Sequence, residues 1–207
     1  GAENTLAVVI APAPPEQPQV GRTSRVRTHK SRMTYWWDFC PRMIHLGIWD
    51  DVALEVSGPA RIADVFVRPQ LTPDLDHADV AVSITLDVPQ AQTVEVETVL
   101  RLDGAAIAGE RMRHALAPGQ TCLSVNLPAT QPRLWWPNGH GEQPLYEAGV
   151  RVTDAESGLL SDARTTRFGI RHVALLPNDG AEPDARPYTL EVNGRRIYAK
   201  GWNWVPL

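Results

Sequence analysis

Apolar and polar residues alternate with a period of two along much of this chain, and glycine, proline or Asp-Gly and Asn-Gly pairs interrupt the alternation. The stretch 94–102, Val-Glu-Val-Glu-Thr-Val-Leu-Arg-Leu, is the plainest case. Successive side chains of a strand point to opposite faces, so the pattern predicts sheets with one face in a core and the other in water. No run of about 12 residues carries a helical stripe, which predicts an all-β protein. Between 60 and 173 the segments 62–71, 78–88, 92–102, 121–128, 144–154 and 163–173 read as short strands. Asp103-Gly104, Pro118-Gly119 and Ser157-Gly158 mark turns among them. Roughly seven strands in roughly 110 residues is the rhythm of an immunoglobulin-like β-sandwich. The cysteine–tryptophan–cysteine spacing of antibody domains is missing, so only the architecture is inferred.

The flanks read differently. Leu6–Ile10 suggests a short apolar strand that runs into the proline-rich loop 11–18, which cannot pair inside a sheet. Residues 22–32 hold five Arg or Lys and one His and read as a solvated loop or strand face. Ile48, Val52, Leu54 and Val56 suggest a strand that leaves the Gly47 turn, with Asp50-Asp51 as a turn before it. Gly58-Pro59 marks a break. Residues 176–187 form a linker rich in Pro, Asp and Gly. Asn193-Gly194 lies between two alternating runs, the strongest short-range hairpin signal. Three segments result: 1–58, the sandwich 59–173, and a linker with a hairpin over 174–207.

Composition narrows the function. Hydrophobic residues make up 43% of the 207 and charged residues 21%, with a formal net charge of −4. An acidic balance argues against a nucleic-acid or anionic-membrane partner. No apolar run approaches the roughly 18 residues that cross a bilayer. The opening LAVVIA is too short, and lacks the charged leader, for a signal peptide. The first residue is Gly1 rather than methionine, which suggests a chain cut from a longer product. Cys40 and Cys122 read as two free thiols, and the six scattered histidines show no zinc spacing, so neither a metal nor a cofactor is expected.

No nucleophile elbow, phosphate loop, metalloprotease motif or dinucleotide fingerprint is present. The acids lie mostly in turns or on alternating strand faces, and no pair stands out as an acid/base couple. The remaining signal is aromatic. Six of the seven tryptophans fall in three clusters: Trp36-Trp37-Asp38, Trp135-Trp136-Pro137-Asn138-Gly139 and Trp202-Asn203-Trp204. An indole face stacks on the apolar face of a sugar ring, and carboxylates or amides bind its hydroxyls, so such clusters suggest carbohydrate. The competing reading is that tryptophans plug contacts between β domains. That reading is preferred for the middle cluster, and a ligand-facing role for the first and last.

Five segments together resemble glycoside hydrolase family 2, and within it the β-mannosidases: ENTLAVVIAP, YWWDFCPRMIHLGIWDDVALE, RLWWPNGHGEQPLYEAGVRV, RFGIRHV and YTLEVNGRRIYAKGWNWVP. The resemblance implies the end of a jelly-roll sugar-binding domain, then an immunoglobulin-like domain, then the first hairpin and strand leading to a (β/α)₈ barrel. It also implies a retaining mechanism with two barrel glutamates about 5 Å apart. A barrel needs about 250 residues, so by this resemblance neither glutamate is in the chain, which alone should be inactive. Carried over residue by residue, Trp37 and Asp38 would line the pocket of the non-reducing sugar, and Asn203 and Trp204 would lie near its floor. The family's WDWGPR stands here as Trp37-Asp38-Phe39-Cys40-Pro41-Arg42: Phe39 replaces a tryptophan and Cys40 a glycine. The implied partner is a carbohydrate, bound together with the barrel. Two alternatives stay open: another family 2 specificity (β-galactosidase, β-glucuronidase or exo-glucosaminidase), and a stand-alone carbohydrate-binding or scaffolding β-protein. Oligomeric state is not read from the sequence.

Overall fold

A computed structural model describes residues 5–15, 31–186 and 188–204. The basic run at 22–30 and part of the proline-rich loop lie outside them. Two compact units are present, one within residues 1–54 and 200–207, the other spanning 55–199.

The larger unit is a β-sandwich. Its strands are β1 (Arg61–Leu71), β2 (His77–Val88), β3 (Gln92–Leu102), β4 (Ala105–Leu116), β5 (Gly119–Thr130), β6 (Tyr146–Asp154) and β7 (Leu160–Phe168). One sheet has the order β1-β2-β5, the other β4-β3-β6-β7, and all pairs are antiparallel. The alternation fixes which side chains go inward. Val80, Val82, Ile84 and Leu86 of β2 face Val94, Val96 and Leu100 of β3 and Ala148, Val150 and Val152 of β6 in one buried cluster. At about 25 cal/mol per Å² of apolar surface, this burial is the main source of the unit's stability. In β1 a bulge between Ile62 and Asp64 adds one residue. That insertion flips the parity, so that Ile62 and Val65 both face the core. β1 and β5 are the outer strands of their sheet, and each carries a proline, Pro69 and Pro128. Proline lacks the N–H a central strand would need.

The strand β4 is absent from the periodicity reading. Its sequence, AAIAGERMRHAL, has no clean alternation, because β4 is an outer strand with only Leu116 buried. The expected strand 163–173 is divided in two. β7 ends at Phe168, and β8 (Val173–Leu176) joins a separate three-stranded sheet with β9 (Thr189–Val192) and β10 (Arg195–Ile197) in the order β10-β9-β8. The β9–β10 turn is Asn193-Gly194, with φ +49 and +73. A two-residue turn of this handedness matches the twist of the strands it joins.

Two expected strands do not form. Residues 5–10 and 48–57 have no backbone partner among the described residues. Leu6, Val9, Trp49, Val52, Leu54 and Val56 are all exposed. Alternation supplies a strand with two faces but not with a neighbour, and without a neighbour there is no ladder. For the same reason Asp50-Asp51 leads into irregular chain rather than a strand; Asp50 Oδ1 accepts the Asp51 N–H at 2.8 Å.

Candidate functional site

The segment 34–43 is a closed loop built around a minimal hairpin. The Trp37 N–H donates to Cys40 O at 3.0 Å and the Cys40 N–H to Trp37 O at 3.2 Å. Asp38 and Phe39 are the two turn residues between these rungs. A second closure lies further out, where the Met43 N–H donates to Thr34 O at 2.9 Å. The base is packed: Thr34, Tyr35 and Cys40 are buried, and Thr34 Oγ1 donates to Ser31 O at 2.7 Å. The tip is open, with Asp38 exposed and Phe39 53% exposed. Trp36, Trp37, Asp38, Phe39 and Arg42 line a shallow open depression. The Arg42 guanidinium donates to Pro15 O at 2.9 Å, tying the loop to the earlier segment.

Cys40 is packed into the base of this loop. Its φ is not among the positive ones, its side chain is 4% exposed, and its thiol donates to Pro41 O at 3.3 Å. The extra bulk relative to glycine is buried in the base of the loop, where it leaves the tip free. Cys40 and Cys122 are both free thiols, the first buried and the second exposed.

The chemistry of the tip follows from its groups. A solvated carboxylate accepts hydrogen bonds from hydroxyls, and exposed aromatic rings offer apolar faces at its side. Phe39 belongs to this surface as much as Trp37 does. From the sequence, Phe39 reads as an aromatic face that lacks the indole N–H of the family's tryptophan. The signal that would have promoted it is its place, with Asp38, as one of two consecutive tip residues.

Asn203 and Trp204 lie in irregular chain and are exposed, as is Trp202. No hydrogen bond among the described residues joins either of them to Trp37 or Asp38. Trp37 and Asp38 share one loop, and Asn203 and Trp204 belong to the same compact unit as that loop. No group of three metal-ligating side chains occurs among the described residues, and no helix is long and apolar enough to cross a membrane.

The two tryptophans of the middle cluster pack against other parts of the larger unit. Trp135 lies against Gly169, where an added Cβ would come within 2.8 Å of the ring base, and Trp136 lies in the same way against Gly141 at 2.7 Å. The Arg171 guanidinium covers Trp135 at 4.7 Å and that of Arg195 covers Trp136 at 4.5 Å. Asn193 links the pieces. It is 4% exposed, its Oδ1 accepts the His172 N–H at 2.9 Å, and its Nδ2 donates to Trp135 O at 3.0 Å. Nearby, the Arg133 N–H donates to the Tyr146 hydroxyl at 2.8 Å, and the Tyr146 ring lies 5.7 Å from that of Phe168. A tyrosine at the start of a strand that fixes the chain upstream is a recurring corner device of such sandwiches. Burial raises its phenol pKa above the ordinary value.

Comparison with known proteins gives a consistent set of relatives. The profile of Glycosyl hydrolases family 2 matches residues 60–171. Beta-mannosidase B of Aspergillus oryzae is 29% identical over 191 residues, covering 90% of this chain and 21% of that protein. A mannosylglycoprotein endo-beta-mannosidase of Lilium longiflorum is 30% identical over 222 residues, covering 98% of this chain and 23% of its own length. Among solved structures, a beta-D-mannosidase from Dictyoglomus thermophilum superposes with a TM-score of 0.72 at 30% identity, over 86% of this chain and 21% of that one. The chain thus spans about a fifth of the length of the curated relatives it matches.

Proposed function

Because this chain belongs to glycosyl hydrolases family 2, we propose that it is the non-catalytic portion of a retaining glycosidase that hydrolyses terminal β-mannosides. In this reading residues 1–58 are the end of a jelly-roll domain, 59–173 the immunoglobulin-like domain, and 174–207 the linker and hairpin that lead into the barrel. The β-mannosidase relatives and the small share of their length that this chain spans support it. The observation that carries the sugar role is the two-rung hairpin that presents the Asp38 carboxylate beside exposed aromatic rings. Asp38 accepts hydrogen bonds from ring hydroxyls, and Trp37 gives an apolar wall. Asn203 and Trp204 complete the pocket once a barrel surrounds them. Two glutamates of that barrel, about 5 Å apart, serve as nucleophile and acid/base.

The test uses the parent protein and this chain side by side. In the parent, Asp38→Ala lowers kcat/KM on an aryl β-mannoside by well over tenfold, since a hydrogen bond to a charged acceptor contributes about 1.5–3 kcal/mol. Kinetics close to wild type would remove Asp38 from the site. The 207-residue chain alone neither hydrolyses the substrate nor gives heat on titration with mannose or manno-oligosaccharides. Clear binding by the isolated chain would favour a stand-alone sugar-binding module.

A second reading is an endo-acting mannosidase, favoured by the lily relative, which matches 98% of this chain. Product analysis on a β-mannosyl-capped oligosaccharide separates the two. Free mannose supports the first reading, and release of a larger fragment the second.

A further inference from the structure

The chain holds two identical dipeptides, Asn138-Gly139 and Asn193-Gly194, in opposite environments. We propose that Asn138 is a site of spontaneous deamidation and that the fold protects Asn193 from the same reaction. In an Asn-Gly pair the glycine nitrogen carries no neighbouring side chain to shield it. It can attack the asparagine Cγ, forming a five-membered succinimide and expelling the side-chain nitrogen as ammonia. Water then opens the ring at either carbonyl and leaves aspartate or isoaspartate. The net change is one amide and one water giving one carboxylate and one ammonia, with no oxidant or cofactor.

The attack needs the asparagine side chain to swing onto the next peptide nitrogen, so its rate follows the freedom of the side chain and of the local backbone. Asn138 is exposed, at the tip of the loop that follows Trp136, and its amide makes no hydrogen bond among the described residues. Gly139 beside it is also exposed, with φ +80. Around it the His140 N–H donates to Pro137 O at 3.0 Å and, further out, the Trp136 N–H to Glu142 O at 2.9 Å, but neither bond holds the Asn138 side chain. Asn193 is the reverse case. Its Oδ1 and Nδ2 are held by the His172 N–H and Trp135 O, and its own N–H donates to His172 O at 2.9 Å. Both side-chain bonds of a buried amide must break before it can reach Gly194, and the third holds the backbone of the turn in place.

The product has a definite place to act. The His140 carbonyl, two residues beyond Asn138, accepts from the Arg195 guanidinium at 2.7 Å, and that guanidinium covers the Trp136 ring. Isoaspartate lengthens the backbone of this turn by one atom and adds a negative charge near Arg195. Conversion at Asn138 would therefore loosen the contact between the tryptophan loop and the β9–β10 hairpin, which makes it a slow, one-way ageing mark.

The experiment incubates the folded 207-residue chain at mildly alkaline pH and body temperature, with samples taken over weeks, and follows both peptides by chromatography and mass spectrometry after digestion. A parallel sample is kept in concentrated urea. In the folded chain the Asn138 peptide gains about one dalton and splits into aspartate and isoaspartate forms, and the Asn193 peptide converts at least about 100-fold more slowly, because its buried hydrogen bonds must open together. In urea the two rates converge, which assigns the difference to the fold. Equal rates in the folded chain would overturn the proposal, as would an Asn138 that stays intact while folded but converts in urea. An Asn138→Ser chain shows no conversion at that peptide and an unchanged Asn193 rate. An altered Asn193 rate in that chain also counts against the proposal, since the two sites are protected independently.

Discussion

Replacing Asn193 by glycine isolates what its side chain contributes to the larger unit. Glycine adopts φ +49 without strain, so the turn survives and only the amide is lost. Two bonds go with it, leaving the His172 N–H and Trp135 O partly buried without their partner. At about 1 kcal/mol for each net bond, with an added penalty for stranded partners, the loss is about 2–3 kcal/mol. Asn193→Ala costs about 1 kcal/mol more, because an alanine at positive φ crowds its own Cβ against the backbone. For a unit of this size 1 kcal/mol is worth roughly 2–4 °C in Tm, so the glycine variant should melt roughly 5–10 °C below the parent chain. Urea unfolding followed by circular dichroism, with tryptophan fluorescence as a second probe, gives both differences. If Asn193→Gly stays within about 0.5 kcal/mol of wild type, the side-chain bonds are not holding the tryptophan loop. If Asn193→Ala matches Asn193→Gly, the turn does not depend on left-handed backbone at that position.

Two further perturbations probe the core. The Thr98 hydroxyl is fully buried between the sheets and has no hydrogen-bond partner among the described residues. Thr98→Val removes it at nearly constant volume and should stabilise the chain by about 1 kcal/mol in urea melts; a loss of stability would mean the hydroxyl has a partner. Burial raises the Tyr146 pKa, so the folded state holds the phenol proton more tightly than the unfolded state does. Its contribution is fully present below the ordinary tyrosine pKa and is lost as pH rises toward the folded value. Stability should therefore fall through that alkaline window in the wild type, and fall less steeply in Tyr146→Phe. Parallel slopes for the two proteins would show that Tyr146 is not the group responsible.

How much could be read in advance depended on whether a residue's partner was local. The inward positions of β2, β3 and β6 follow from alternation alone, because a half-buried strand shows its core face in its own sequence. The strand β4 did not show, because an outer strand buries too little to impose a pattern. The segments at 5–10 and 48–57 failed in the opposite way. They carry a pattern, but a pattern cannot say whether a neighbour is present to pair with. The Asn193-Gly194 turn was visible as a dipeptide. The second task of Asn193, holding Trp135 from 58 residues away, was not, since it depends on the tertiary position of the loop. The same holds for Gly169, whose missing side chain makes room for an indole far upstream. At the candidate site, Trp36-Trp37-Asp38 was legible as an aromatic cluster beside a carboxylate. That Asp38 and Phe39 share a two-residue tip, with Cys40 folded under it, emerged only from the backbone rungs.

The prolines at the two outer strands of the β1-β2-β5 sheet have a consequence beyond the fold of one molecule. Pro69 and Pro128 interrupt the rows of donors along both free margins of that sheet. A second copy that approached either margin would meet a gap in the ladder it needs to extend. Each proline thus takes one donor away from the ladder by which this sheet could grow from chain to chain along that side, a local obstacle to edge-to-edge association.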